Sequence, residues 1–175
     1  MPEMADPTLH LVATPVDVDF PSFEEFYERE KQGLFGALCM VTRNRQEAEQ
    51  LAQDAFLTVY ERWDRVAVME QPSGYLYRVA MNAFRSWNRR VTLGTKRVLG
   101  LRQPDDLIEE IDAEDAVMRV LAPLSPRQRA AVVLVDLLGY SSEDAGRILG
   151  VRAATVRTHT ARAHEELRST MGRER

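Results

Sequence analysis

The stretch Tyr140-Ser-Ser-Glu-Asp-Ala-Gly-Arg-Ile-Leu-Gly150-Val-Arg-Ala-Ala-Thr-Val-Arg-Thr-His-Thr160-Ala-Arg-Ala-His-Glu-Glu-Leu167 contains two amphipathic segments hinged at one glycine. Ser141 or Ser142 is placed to cap a short helix whose inward residues are Ala145, Ile148 and Leu149. Gly150 permits a tight turn, and Val151 is expected to plug that turn into the core. A second helix is expected from about Ala153 to Arg168, which completes a helix-turn-helix layout. At about 100° per residue, Val156, Thr160, Ala163 and Leu167 share the inward stripe. Ala154, Arg157, Thr158, Ala161, Arg162 and Glu165 share the opposite face. Arginine can pair with guanine edges or phosphates, and threonine and alanine methyls can touch thymine, so this face suits a major groove. Arg147 and Arg152 flank the second helix and suit phosphate contacts, which position without specifying. One arginine on a helix is ordinarily just solvated. Four of them, with no acid anywhere from 147 to 164, point to DNA.

Working upstream, Ser125 can cap a helix reaching Leu138, with Pro126 at its first position and Gly139 closing it. Its inner stripe is expected to be Ala130, Val133, Leu134 and Leu137. Further helical signal covers 113–121. The stretch 93–112 contains Gly94, Gly100 and Pro104 and is expected to be a linker. Before it lie three amphipathic helices. Phe23, Phe26, Tyr27, Leu34, Leu38 and Val41 form the stripe of the first, and the polar stretch 42–45 ends it. Ala48, Leu51, Ala52, Ala55, Phe56, Val59, Tyr60 and Trp63 form the second. A loop over 64–74 comes next, and Leu76, Val79, Ala80, Ala83, Phe84 and Trp87 form the third, ending near Arg90. Nothing alternates like a strand. The expected fold is all-α: a helical domain over 23–92 and a helix-turn-helix domain over 113–170, with a flexible tail, 1–22, that carries four prolines.

Net charge is −4, which alone argues against a nucleic-acid binder, but the charges are segregated. Residues 85–103 hold six bases and no acid, and 105–115 hold seven acids and no base, so local potentials are strong while the total is small. No apolar run approaches the roughly 18 residues of a membrane span, and the N-terminus lacks a secretory pattern. The single Cys39 makes no internal disulfide, so a cytoplasmic setting is expected. There is no phosphate-cradling glycine loop, no clustered metal-ligand set and no nucleophile–base pair at a recognisable spacing. The chain is expected to be no enzyme and to need no cofactor or metal.

The segments Leu124-Ser-Pro-Arg-Gln-Arg-Ala, Gly139-Tyr, Ala145 through Gly150-Val and Thr155-Val-Arg-Thr closely resemble region 4 of extracytoplasmic-function (ECF) RNA polymerase sigma factors. Independently, Ala48-Glu-Gln-Leu-Ala-Gln-Asp-Ala-Phe-Leu resembles region 2.2, and Pro72-Ser-Gly-Tyr-Leu-Tyr-Arg-Val-Ala-Met-Asn resembles region 2.3 and the segment just C-terminal to it. The resemblance implies promoter-specific initiation, with the N-terminal domain reading the minus-ten element and the C-terminal domain the minus-thirty-five element. It implies docking on the clamp helices of the largest subunit of core RNA polymerase through Glu49, Gln50, Gln53 and Asp54, with Gln50 replacing a usual Asp. It implies a further contact with the flap of the second subunit, and an anti-sigma factor as regulator. The loop 64–71 corresponds to the loop that captures a base flipped from the non-template strand. Tyr75, Tyr77, Arg78, Asn82, Arg85 and Arg89, with Arg90, are implied to meet that strand; Tyr75 stands where a Trp is common, and Met81 where a base is frequent.

In region 4 the implied DNA contacts are Arg147, Arg152, Thr155, Arg157, Thr158 and Arg162. His159 replaces a usual Arg, Thr160 an apolar residue and Ala154 a Gly, and Thr160 must find a hydrogen bond on the inward stripe. The acidic half of the linker either mimics RNA or is a plain tether. The competing reading is a stand-alone helix-turn-helix regulator of duplex DNA, which would leave the N-terminal domain unused.

Overall fold

In the computed structural model, residues 22–99 and 116–173 are described, with side chains over 22–94 and 117–170; residues 1–21 of the expected tail and the acidic stretch 105–115 lie outside these. Ser22 opens helix α1 (Phe23–Thr42) with a capping box. Its hydroxyl accepts from the Glu25 amide at 3.2 Å, and the Glu25 carboxylate accepts from the Ser22 amide at 3.3 Å. Arg43 takes a left-handed conformation (φ 56°) and Asn44 caps α2 (Arg45–Tyr60) by accepting from the Glu47 amide at 3.0 Å. The polar break at 42–45 is therefore a C-cap joined directly to an N-cap. Trp63, expected on the last turn of the second helix, instead starts a short helix α3 (Trp63–Val66). Its ring lies 5.5 Å from Phe23 and 5.0 Å from Phe26, centroid to centroid, so packing and not helical register fixes it.

Helix α4 (Pro72–Leu99) continues past Arg90 through residues expected to be linker. Gly94 costs about 1 kcal/mol of propensity, but no proline intervenes before Leu99. The chain resumes at α5 (Ala116–Leu121). A second capping box, Ser125 with Gln128, then opens α6 (Pro126–Val132), with proline in the first turn.

A π-helical turn, Val133–Leu137, comes next; its widened ring is closed by the Leu138 amide donating to Val133 O at 3.0 Å. This corrects one expectation. The extra residue in the turn rotates Leu137 outward, so it is 50% exposed, while Ala130, Val133 and Leu134 are buried. Ser141 caps α7 (Ser142–Leu149), accepting from the Asp144 amide at 3.0 Å, and α8 (Ala153–Arg173) begins after Gly150, which sits at φ 65°.

Helices α1, α2 and α4 form one three-helix layer, and α6 and α7 pack with α8 in a second. The two are not separate beads. α4 packs on α7, and α1 packs on α5, on α6 and on the π-helical turn. One continuous cluster runs from Phe26, Leu34, Leu38, Leu76 and Met81 to Leu124, Val133, Leu134 and Val156. Burying each such side chain contributes roughly 1.5–3 kcal/mol, so the junction is a core and not a touch. Arg129, 2% exposed, bridges the layers by donating to Val41 O at 3.3 Å and to Leu124 O at 2.9 Å. A guanidinium taken out of water needs such acceptors.

Candidate nucleic-acid interface

The outward face of α8 stands as the periodicity requires. Ala154, Arg157, Thr158, Ala161, Arg162 and Glu165 are exposed, Val156 and Ala163 are fully buried, and Thr160 and Leu167 are half-buried. The Thr160 hydroxyl donates to Val156 O at 3.2 Å and Arg157 O at 3.0 Å, so the polar group on the inner stripe is satisfied within its own helix. Thr158 does likewise with Ala154 O at 2.9 Å, which leaves its methyl and both oxygen lone pairs for a groove. Arg157 donates to Glu143 on α7 at 3.1 Å, with both side chains well exposed. Such surface pairs are worth about 0–1 kcal/mol, so a phosphate or a guanine can displace Glu143 cheaply.

The turn between α7 and α8 is set by two glycines. Gly150 needs the left-handed region, and Gly146 lets two backbones meet: a Cβ there would lie 2.8 Å from Val151 O and 3.2 Å from Ala153 N. Sequence reading found Gly150 and missed Gly146. The available signal was a glycine within a short helix that had no capping role. Val151 does not plug the core. Its side chain is 37% exposed, and its amide donates to Gly146 O at 2.9 Å, so the backbone seals this turn where a side chain was expected to.

Arg147 pairs with Asp144, whose carboxyl is held below the usual range first by the Ser141 hydroxyl and then by Arg147. Arg152 is exposed beside the α8 N-terminus, where backbone amides already favour an anion. Thr155 is half-buried and lines a groove of about 490 Å³ between the layers, together with Arg85, Arg89, Arg127 and His159. Burial pushes the His159 pKa below its ordinary value, and the charges of Arg127 and Arg162 add to that. His164 meets Asp136 at 2.6 Å.

On the first layer, Arg78, Asn82, Arg85 and Arg89 are exposed along α4 with Arg90. Tyr75 is half-buried, and its hydroxyl accepts from Arg62 at 3.2 Å. Tyr77 departs from the expectation of a strand-facing ring. It is 4% exposed, its ring sits edge-on to Tyr140 at 5.8 Å, and burial drives its phenol far above the ordinary range. On a helix whose inner face meets a neighbouring layer, about half a turn, the two residues from Tyr75 to Tyr77, separates a half-buried ring from a core ring. Arg85 is also engaged, donating to Leu149 O at 2.8 Å. Met81, where the family favours a base, is fully buried.

The expected polymerase-docking residues form one exposed face of α2. Gln50 donates to Asp54 at 3.0 Å, and Gln53 lies 3.5 Å from Glu49. Beside them, Tyr27, Phe35, Arg45 and Phe56 line a groove of about 350 Å³, with the Arg45 guanidinium 5.1 Å from the Phe35 ring centre. Among the described residues no cluster of His, Cys, Asp and Glu could hold a metal ion, and no helix is long and apolar enough to cross a membrane.

Two family models match the chain in order: Sigma-70 region 2 over residues 26–92, and Sigma-70, region 4 over 114–167. The ECF RNA polymerase sigma factor SigM of Mycobacterium tuberculosis is 31% identical over 163 residues, covering 93% of this chain and 83% of the relative. The RNA polymerase sigma-E factor of Streptomyces avermitilis is 29% identical over 153 residues, 85% of this chain and 84% of the relative. ECF RNA polymerase sigma factor SigW of Bacillus subtilis is 23% identical over 169 residues, 87% and 90% respectively. Among solved structures, the sigma factor RpoE of Bartonella quintana, crystallised with the anti-sigma factor NepR, has the same fold. Its TM-score is 0.71 at 22% identity, over 87% of this chain and 98% of that one.

Proposed function

Because the chain belongs to the ECF RNA polymerase sigma factor family, we propose that its two layers divide the work of promoter recognition in the way their surfaces suggest. The C-terminal layer reads the minus-thirty-five element: Arg157, Thr158 and Arg162 enter the major groove, while Arg147, Arg152 and Thr155 hold the backbone. The N-terminal layer meets the melted minus-ten strand through Tyr75, Arg78, Asn82, Arg85 and Arg89, with residues 64–71 capturing a base turned out of the stack. Glu49, Gln50, Gln53 and Asp54 dock the chain on the clamp helices of the largest polymerase subunit, and the second layer meets the flap of the second subunit. The chain is not itself an enzyme; bond formation stays with core polymerase. It works in the cytoplasm with core polymerase and promoter DNA, and an anti-sigma factor restrains it. The acidic stretch 105–115 serves either as an RNA mimic or as a tether.

The observation that carries this reading is the joint presence of two unlike surfaces: an acid-and-amide face on α2 and an arginine–threonine face on α8. A stand-alone regulator would need only the second. The test is run-off transcription with purified core polymerase and a pool of genomic promoters, read by sequencing. Discrete start sites that depend on the added chain are expected. Tight binding of promoter duplex by the chain alone, with no start-site selection on adding core, would establish the regulator instead.

A further inference from the structure

The groove of about 490 Å³ lined by Arg85, Arg89, Arg127 and His159 is of a size with small-molecule sites, which run to roughly 300–1,000 Å³. Its cations converge from different elements: Arg85 and Arg89 from α4, Arg127 from the first turn of α6, His159 from α8. None of the three arginines has a carboxylate partner among the described residues, and no acid among those residues lines the groove. The recognition face differs in this, since Arg147 pairs with Asp144 and Arg157 with Glu143. Like charges gathered in this way repel one another and attract an anion. His159 registers that field: after burial, the charges of Arg127 and Arg162 hold its pKa below the ordinary value. One guanidinium is also fixed in place. Arg85 donates to Leu149 O at 2.8 Å, and a Cβ on Gly150 would lie 3.0 Å from its Nη1, so the bare glycine leaves room for it. That bond uses one of five N–H groups and leaves the others for an anion.

The rest of the lining goes beyond what a phosphate needs. Phe84, Ala130 and Leu149 form a buried apolar floor, and half-buried Asn88 and Thr92 stand beside it. The Thr92 hydroxyl donates to Asn88 O at 2.8 Å, which leaves both its lone pairs as acceptors. We propose that this groove binds a free purine nucleotide carrying two or more phosphates, its base laid on the Phe84–Ala130–Leu149 floor and its phosphates held by Arg85, Arg89 and Arg127. Arginine forks match phosphate oxygens two at a time, and a purine, the larger of the two base types, hides the more apolar area. A nucleotide within a DNA strand brings one phosphate charge with its base. Three arginines with no acid among them suit the several charges of a free di- or triphosphate better. Binding itself does not depend on the sigma-factor reading. Under that reading Arg85 and Arg89 also serve the minus-ten strand, so an occupied groove and a bound promoter draw on the same side chains.

Isothermal titration calorimetry of the full chain with adenosine and guanosine di- and triphosphates, at physiological ionic strength, reads the site directly. Inorganic pyrophosphate and the bare nucleosides supply its two halves separately. At least one nucleotide should bind saturably, about tenfold tighter than pyrophosphate, the worth of stacking one base on a protein surface. Arg127→Glu should weaken that binding by at least about tenfold, because a charged hydrogen bond is lost and a like charge added. Glu suits the first turn of α6, so the variant should fold, as circular dichroism will verify. Arg127→Ala should weaken binding by less and carries the test should the first variant unfold. Arg119→Glu makes the same charge change on the exposed face of α5, outside the groove, and should leave affinity unaltered. In NMR spectra the His159 ring signals should shift on saturation and titrate at higher pH, because bound phosphate offsets the charges of Arg85, Arg89, Arg127 and Arg162 around it. Absence of saturable binding by any of the four nucleotides overturns the site, as does pyrophosphate binding equally well. Equal losses in Arg119→Glu and Arg127→Glu also overturn it, since attraction to net charge would then suffice. A single-stranded DNA oligonucleotide that binds through Arg127 where the free nucleotides do not would give the groove to the promoter strand instead. None of these measurements uses polymerase, so they stand apart from the run-off assay that tests the sigma-factor reading.

Discussion

Gly146→Ala should destabilise this protein, although the same change in most helices does the opposite. Gly146 lies within α7, where exchanging glycine for alanine ordinarily gains about 0.5–1 kcal/mol through helix propensity. Here the new methyl carbon would sit 2.8 Å from Val151 O and 3.2 Å from Ala153 N, and both neighbours are backbone. No rotamer change relieves such a clash; α7 and α8 must move apart by several tenths of an ångström. Overpacking of this kind costs about 1–3 kcal/mol, which leaves a net loss of roughly 0.5–2 kcal/mol. For a chain of this length that is a fall in Tm of roughly 2–6 °C. Gly36→Ala is the matched control: it lies within α1, and a Cβ there meets nothing within 4 Å. That change should raise Tm by a few degrees. Thermal and urea melts of the two variants beside the wild type make the comparison. If Gly146→Ala melts at or above the wild-type temperature, the backbone approach described for the helix-turn-helix is wrong. Because that approach aims the recognition helix, Gly146→Ala should also lower promoter affinity at temperatures where it stays folded.

Three other outcomes are expected. Arg157→Ala with Arg162→Ala should reduce transcription from the cognate promoter by at least about tenfold, at about 1–3 kcal/mol per lost base contact, while pull-down of core polymerase stays at wild-type level; loss of core binding would remove the recognition-helix assignment. Gln53→Lys with Asp54→Lys should do the reverse, and unchanged association with core would remove the docking face from α2. His159 titrates below its ordinary range when folded, so the unfolded chain binds its proton more readily. Its contribution to stability is whole above pH about 6.5 and falls as pH drops through that value toward the lower folded pKa. His159→Gln should flatten the dependence of Tm on pH across that window, and an unaltered slope would show that other groups carry it.

The order of residues alone dictates the helices and the outward face of α8. Ser125 and Ser141 each accept the amide bond that their spacing foretold, because capping is settled within four residues, whereas Ser22 and Asn44 cap their helices from stretches read only as tail and polar break. The arginines and threonine of α8 stand outward because a period of 3.6 residues leaves them no other side. Apart from the run of α4 past Arg90, where Gly94 does not stop the helix, what escaped that reading comes from contacts that only folding brings about, or from a local break in helical register. Leu137 turns outward because a π-helical turn shifts its register, and Val151 is exposed because the backbone closes that turn. Tyr77, read as a ring for DNA, is buried because a second layer docks on α4 and brings Tyr140 against it. That α4 and α7 meet, and with them Arg85 and Leu149, emerges only once the helices are packed in three dimensions. Periodicity tells which face of a helix is apolar, but an apolar face records no identity for the surface that covers it.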